Sequence, residues 1–213
     1  MKTEYLLGLS IACLFVSAAF FFLARMETES VNRLRINLEN ASIESESARI
    51  SLLLAQSFGE QDKYCLAINQ RISSQLARNF SLVSQIDTAN KETFTSDITQ
   101  LKQKYFLSNA ELYYYLKQSK QTCGQNTVLV LYFYLDAVPC ADCYLQGKIL
   151  DSIRAKCANF KVFSFPVDVD VETTSFFKSF FGITSAPAIV IDSKVLPGLQ
   201  SEAQILREFK CEQ

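Results

Sequence analysis

The chain opens on an unbroken apolar run, "YLLGLSIACLFVSAAFFFLA", twenty residues from Tyr5 to Ala24 without a charge. As a helix rising about 1.5 Å per residue, it reaches the ~30 Å of a hydrocarbon core. The pattern predicts a transmembrane signal anchor over residues 1–24. A removable secretory leader is the rival reading. It calls for a shorter apolar core with small residues after it, whereas here "SAA" is followed by Phe20, Phe21, Phe22 and Leu23. Cys13, inside the run, reads as a small lipid-facing residue.

From Arg25 the spacing changes to that of amphipathic helices, and an α-helical region is predicted over 25–122. Val31, Leu34, Leu38, Ala41, Ala48, Leu52 and Ala55 fall on one face, and Ile36, Ile43 and Ile50 on a second. Two apolar faces suit a core helix or a stalk that pairs with another copy. "SFGEQD" breaks the pattern. A second helix is predicted from about Gln61 to Ser84, with Cys65, Ile68, Ile72, Leu76, Phe80 and Val83 as its stripe. "DTANKETFTSD" reads as a polar connection, with Ser96 or Asp97 capping a third helix that begins Ile98, Leu101, Tyr105. Asn109 reads as the cap of a fourth, "AELYYYLKQSK", in which Tyr113, Tyr114 and Tyr115 must point in three directions. Gly124 follows its last turn. Nothing in this region carries a catalytic signature.

At Thr127 the character changes again. "TVLVLYFYL" is a β-branched and aromatic run of strand length, as in a strand covered on both faces. "DAVPCADC" leads into a helix with Leu145, Ile149, Ile153 and Cys157 on one stripe. "FKVFSFPVDVD" is a second strand, and "VETTSFFKSFF" a short helix closed by Gly182. "SAPAIVID" is a third strand and "SKVLPGL" a hairpin return. "SEAQILREFK" is a closing helix capped by Ser201, with Ile205, Leu206 and Phe209 inward. The predicted order is strand–helix–strand–helix–strand–strand–helix.

Composition narrows the chemistry. Net charge is −1, with acids and bases interspersed and no basic stripe, so nucleic acid is not an expected partner. There is no histidine, which removes the commonest general base and most zinc and iron sites. No metal and no cofactor are expected. There are seven cysteines, and six lie outside the apolar run, an even number that suits an oxidising compartment. Lys2 on one side of that run, against Arg25, Arg33 and Arg35 on the other, favours a cytoplasmic C-terminal part instead. The charge difference is a residue or two. The reading adopted follows the cysteines: a single-pass membrane protein with its soluble part outside the cytoplasm.

"CADC" stands at the head of a helix. A cysteine there faces unpaired backbone N–H groups and the positive end of the helix dipole, which favour its thiolate. Two intervening residues put Cys143 one turn on, within reach of Cys140. Cys140 can then attack a disulfide, and Cys143 can resolve the mixed disulfide. The rival readings are a structural disulfide, or reduced cysteines on a module without chemistry. A zinc site lacks two of its four ligands.

The element order, "CADC" after the first apolar strand and the proline in "GITSAPAIVI" together resemble the thioredoxin fold over about Thr127–Lys210; the domain is placed at 123–213. The resemblance implies an α/β thioredoxin-like domain, a central mixed sheet flanked by helices, behind the helical region and the anchor. It implies a thiol–disulfide oxidoreductase acting on protein thiol or disulfide substrates and recycled by a redox partner. It further implies that Pro187 is a cis-proline beside the cysteine pair, with Ala186 offering its backbone to an extended substrate. "VDVD" resembles the end of the second strand. The helix after "CADC" and the closing helix would lie on one side of the sheet, making Cys157 and Cys211 a disulfide candidate. Cys65 and Cys123 are then left as the pair within the helical region.

Three departures stand out. Pro139 replaces the usual tryptophan, and Tyr134 stands where a buried acid is usual. Asp142 lies between the cysteines, where its charge disfavours a thiolate. They point to a dedicated membrane-tethered enzyme, and Asp142, with no histidine or lysine between the cysteines, points to a reduction potential on the order of −250 mV rather than about −120 mV. The alternatives are a non-catalytic thioredoxin-fold module that binds or scaffolds partners at the membrane, and an assembly protein whose helical stalk is the working part.

Overall fold

The computed structural model describes residues 46–47, 49–92 and 95–212, except for the side chains of 89–97. The predicted anchor, most of the first helix and the caps Ser96 and Asp97 lie outside the described residues or side chains. Among the described residues, no helix is long and apolar enough to cross a membrane. The chain divides into two compact units, Met1–Leu54 and Ala55–Gln213. In the first, 49–54 are helical, with Ile50 exposed. In the second, the helix ends at Ser57, and Gly59, at φ 70°, takes the left-handed turn that suits glycine.

Nine elements follow: α1 (Gln61–Glu92), α2 (Thr95–Cys123), β1 (Val128–Tyr134), α3 (Ala141–Lys156), β2 (Phe160–Pro166), α4 (Glu172–Phe181), β3 (Ala188–Ile191), β4 (Lys194–Pro197) and α5 (Glu202–Leu206). The sheet order is β2-β1-β3-β4. β1 runs parallel to β2 and antiparallel to β3, and β4 returns along β3. Asp192 and Ser193 make the β3–β4 turn with φ of 45° and 79°. Such a two-residue turn with both φ positive matches strand twist.

The alternation of β1 divides the core. Val128, Val130 and Tyr132 face α3 and α5, packing with Leu150, Ile153, Cys157, Phe160, Ile189, Ile191 and Ile205. Their register partners show that Leu131 and Phe133 share the other face with Phe163 and Phe165. There α2 brings Tyr113 edge-on to Phe163 at 5.5 Å, and α4 brings Phe177 to Phe165 at 5.1 Å. All of β1 but its last residue is buried, as a strand covered on both faces must be. The three tyrosines do diverge. Tyr113 packs on the sheet side and Tyr114 is exposed. Tyr115 is buried, with Arg71 5.7 Å over its ring.

The helical region departs from the sequence reading in three ways. α1 runs on to Glu92, and helix resumes at Thr95, so most of "DTANKETFTSD" is helical rather than a connection. The third and fourth predicted helices are one, α2. Asn109 is no cap; it is buried inside that helix, donating through Nδ2 to Ser164 O at 3.3 Å. A residue with a tertiary partner need not spend its side chain on a helix end.

The stripe of α1 is also only half right. Ile68 and Ile72 are buried, but Leu76, Phe80 and Val83 point outward. Gln75 and Asn79 turn inward instead, because α2 offers them partners. Gln75 Nε2 donates to Ser108 O at 3.1 Å and to Ser108 Oγ at 2.6 Å. Ser108 Oγ donates to Asn79 Oδ1, and Asn79 Nδ2 to Asn109 Oδ1 at 3.3 Å. A polar chain thus runs from α1 through α2 to β2. A buried amide with partners is tolerated where an orphaned one is costly.

Two smaller corrections concern the C-terminal half. Leu145 is exposed, and Gln146 is buried in its place, accepting from Gln200 N at 2.7 Å. The closing helix is short: α5 starts at the Ser201 capping box but ends at Leu206. The tail then answers to the end of α3. Asn159 Nδ2 donates to Lys210 O at 3.1 Å, Glu212 N to Asn159 Oδ1 at 3.1 Å, and Ala158 N to Glu212 O at 2.7 Å. These bonds replace the helical ones the sequence pattern suggested.

Candidate active site

α3 begins immediately after Cys140, which is its N-cap, at φ −138° and ψ 95°. Cys143 N donates to Cys140 Sγ at 3.1 Å. The sulfur therefore occupies the place a capping oxygen usually takes, where the first-turn N–H groups converge. Cys140 and Cys143 are disulfide-bonded, with Cα atoms 5.2 Å apart. Their exposure differs: Cys140 is half-buried, whereas Cys143 is only 5% exposed. A partner approaching from solvent meets Cys140.

Below the pair lies an aromatic floor. Tyr132 Oη donates to Cys143 O at 2.5 Å, and the Tyr132 and Tyr134 rings stack at 5.6 Å. Burial pushes the Tyr132 hydroxyl up to about 12. Burial also raises Tyr134, helped by the negative charges of Asp136 and Asp168 and by Tyr105 and Tyr132. Neither phenol takes up or gives up a proton readily near neutral pH.

The loop from β1 to the cysteines, 135–139, is fixed from outside. The Asp168 carboxylate accepts Asp136 N at 2.8 Å and Ala137 N at 2.7 Å. What burial Asp168 has acts to raise its pKa. The N–H groups of Asp136, Ala137, Asp168 and Val138 outweigh this and hold the carboxyl below its ordinary range. Lys102, from α2, pairs with Asp136 Oδ2 at 2.7 Å. Exposed apolar residues surround the loop and the head of α3: Val138, Tyr144 and Leu145.

Ala186–Pro187 is a cis peptide bond. Pro187 is buried and directly precedes Ala188, the register partner of Phe133, so it lies at the same end of the sheet as loop 135–139. Gly198 N donates to its carbonyl at 2.9 Å. Ala186 is half-buried. The other four cysteines among the described residues lie away from the pair. Cys65 is bonded to Cys123, with Cα atoms 5.7 Å apart, between α1 and the end of α2. Cys157 is bonded to Cys211 at a Cα separation of 5.1 Å, tying the end of α3 to the tail.

The sequence reading gave no role to Tyr132, Asp168 or Lys102. Asp168 lies in "VDVD", which marked only a strand end. Tyr132 looked like one more aromatic in a buried strand. Lys102 carried no signal, because its partner is 34 residues away.

No protein-family model and no curated protein sequence matches the chain. Among solved structures, it is similar to chloroplastic thioredoxin z at 21% identity, over 43% of this chain and 83% of that one, with a TM-score of 0.33. It is also similar to oxidised thioredoxin from Plasmodium falciparum, at 14% identity over 43% and 86%, with a TM-score of 0.32. Oxidised mitochondrial thioredoxin 3 from Saccharomyces cerevisiae follows at 20% identity over 44% and 84%, with a TM-score of 0.29. The likeness spans about 43% of the chain, and the C-terminal part itself carries the mixed four-stranded sheet β2-β1-β3-β4 with helices packed on it.

Proposed function

We propose that this chain is a thiol–disulfide oxidoreductase acting on protein thiols or disulfides. One observation carries the reading: a half-buried Cys140 sulfur caps α3 and takes the Cys143 N–H at 3.1 Å. In the reduced protein the same N–H, and the dipole behind it, stabilise the Cys140 thiolate. That thiolate attacks one sulfur of a substrate disulfide, forming a mixed disulfide and releasing the other substrate sulfur as thiolate. Cys143, deprotonated, then attacks Cys140 Sγ. The second substrate sulfur leaves as thiolate, the Cys140–Cys143 disulfide forms, and two electrons have passed to the substrate. The reverse sequence oxidises a substrate dithiol. In either direction a second dithiol–disulfide partner resets the pair.

Ala186 and Pro187 serve, on this reading, as the edge that holds the substrate backbone beside Cys140. Residues 5–24 hold the enzyme at a membrane, with the soluble part on the oxidising side. Three disulfides pairing the six cysteines beyond that run support this location. The test is trapping. Cys143→Ser accumulates mixed disulfides with substrates, and Cys140→Ser does not. Equal trapping by both variants, or by neither, overturns the assignment and favours a binding module.

A further inference from the structure

The helical region is not merely appended to the thioredoxin-like part. Two neighbouring residues of α2 reach loop 135–139, which leads into the cysteine pair, and the loop after β2 that is bonded to it. Lys102 Nζ bonds Asp136 Oδ2 at 2.7 Å in loop 135–139. Gln103 Nε2 donates to Asp170 O at 3.4 Å in the loop after β2. From the loop after β2, Asp168 reaches across to loop 135–139, its two oxygens taking the Asp136 and Ala137 N–H groups at 2.8 and 2.7 Å. On the far side, Lys178 of α4 donates to Val167 O at 3.0 Å. Asp136 is thus held twice, by its side chain from α2 and by its backbone from Asp168.

We propose that Lys102 and Asp168 are positioning residues for Cys140, and that α2 works as a brace of the redox site. This rests on the oxidoreductase reading. From Ala137 only Val138 and Pro139 intervene before Cys140, and the proline ring fixes its own φ. Displacement of Asp136 and Ala137 therefore passes along a short, stiff path to the cysteine. The capping geometry at Cys140 is what favours its thiolate, and N–H alignment with the sulfur is lost within small shifts. Ion pairs as exposed as Lys102–Asp136, at 31% and 24%, contribute little to stability. What this pair does is fix the loop in place. The charges around the loop are Lys102, Asp136, Asp168 and Asp170, with Asp142 inside α3 and Lys178 on α4.

Variants separate bracing from charge. Lys102→Met with Asp136→Asn removes the pair as a neutral unit. Asp168→Ala removes a negative charge, which by electrostatics alone lowers the Cys140 midpoint. The probe is iodoacetamide alkylation of Cys140 across pH, in the reduced full chain, with peptide mapping. Bracing predicts a higher midpoint in both variants, by about half to one pH unit, or three- to tenfold slower alkylation below the midpoint. Lys102→Arg keeps the unchanged profile. A wild-type profile in the double variant, or a lower midpoint in Asp168→Ala, overturns the brace. If Asp168→Ala does not fold, the double variant and Lys102→Arg decide alone, since both lie on the surface. An unchanged chain in which Cys140 is no more reactive than an ordinary thiol overturns the oxidoreductase reading and the brace with it. A reactive Cys140 with unmoved variants overturns the brace only.

Discussion

Removing the Cys157–Cys211 disulfide should destabilise the protein almost wholly through its unfolded state. The bond closes a loop with a sequence separation of 54. The loop-entropy relation for that length gives about 14 cal/mol/K, or ~4 kcal/mol at room temperature. The usual objection to such figures is that the native state relaxes when the link is cut. Here the tail is held independently. Asn159 Nδ2 donates to Lys210 O, Glu212 N to Asn159 Oδ1, and Ala158 N to Glu212 O, at 2.7 to 3.1 Å. Asn126 Nδ2 also donates to Glu212 Oε1. Cys157 is buried among apolar side chains and Cys211 is half-exposed, so Cys157→Ala with Cys211→Ser is the appropriate double variant. With a guanidinium m-value of about 4 kcal/mol/M, a loss of ~4 kcal/mol moves the unfolding midpoint down by roughly 1 M. The assay is guanidinium unfolding of the oxidised chain followed by circular dichroism. Native hydrogen exchange should show the Ala158 and Glu212 amides still protected relative to the tail's end. A midpoint shift under about 0.25 M, roughly 1 kcal/mol, refutes the loop-entropy account. So does a large shift accompanied by loss of protection at those amides, which would place the effect in the folded state.

Other outcomes are as specific. The Cys140–Cys143 pair should equilibrate with glutathione at a potential on the order of −250 mV, because Asp142 adjoins the thiolate; a value above about −180 mV rejects this. Ile72→Ala, at a site 8% exposed, should cost about 2 to 5 kcal/mol, whereas Phe80→Ser, at a site 80% exposed, should stay within ~0.5 kcal/mol in guanidinium unfolding. Were α1 packed by its sequence stripe, which holds both residues, Phe80→Ser would cost as much as Ile72→Ala, and that result overturns the observed packing. The Asp168 carboxyl lies below its ordinary 3.8 when folded, so it contributes stability above that pH and loses it as pH falls through the folded value. Acid titration of Asp168→Asn should therefore show a flatter loss of stability below about pH 4, and an unchanged acid limb counts against the clamp.

What the sequence determined by itself is mainly the C-terminal half. There, strand runs such as "TVLVLYFYL" and glycine or serine stops leave few ways to fold, and local signals agree with one another. The Ser201 capping box and the Gly182 stop, at φ 65°, are formed by neighbours in the chain, so their residues suffice to announce them. The N-cap position of Cys140 is local in the same sense. The helical region was less legible. α1 has apolar residues on more than one face, and hydrophobicity alone does not say which face meets α2. Gln75 and Asn79 win that face over Leu76 and Phe80 because Ser108 and Asn109 receive them, and those partners are about 30 residues away. Asn109 looked like a helix start for the same reason: its partner, Ser164, is 55 residues on. The setting of the site was decided only in three dimensions. Tyr132 beneath Cys143, Asp168 beneath loop 135–139, and Lys102 across from Asp136 are contacts between elements, made by groups of ordinary type. A hydrogen-bond partner supplied by the fold leaves no period, spacing or composition in the chain, and only the packed structure brings it within 3 Å.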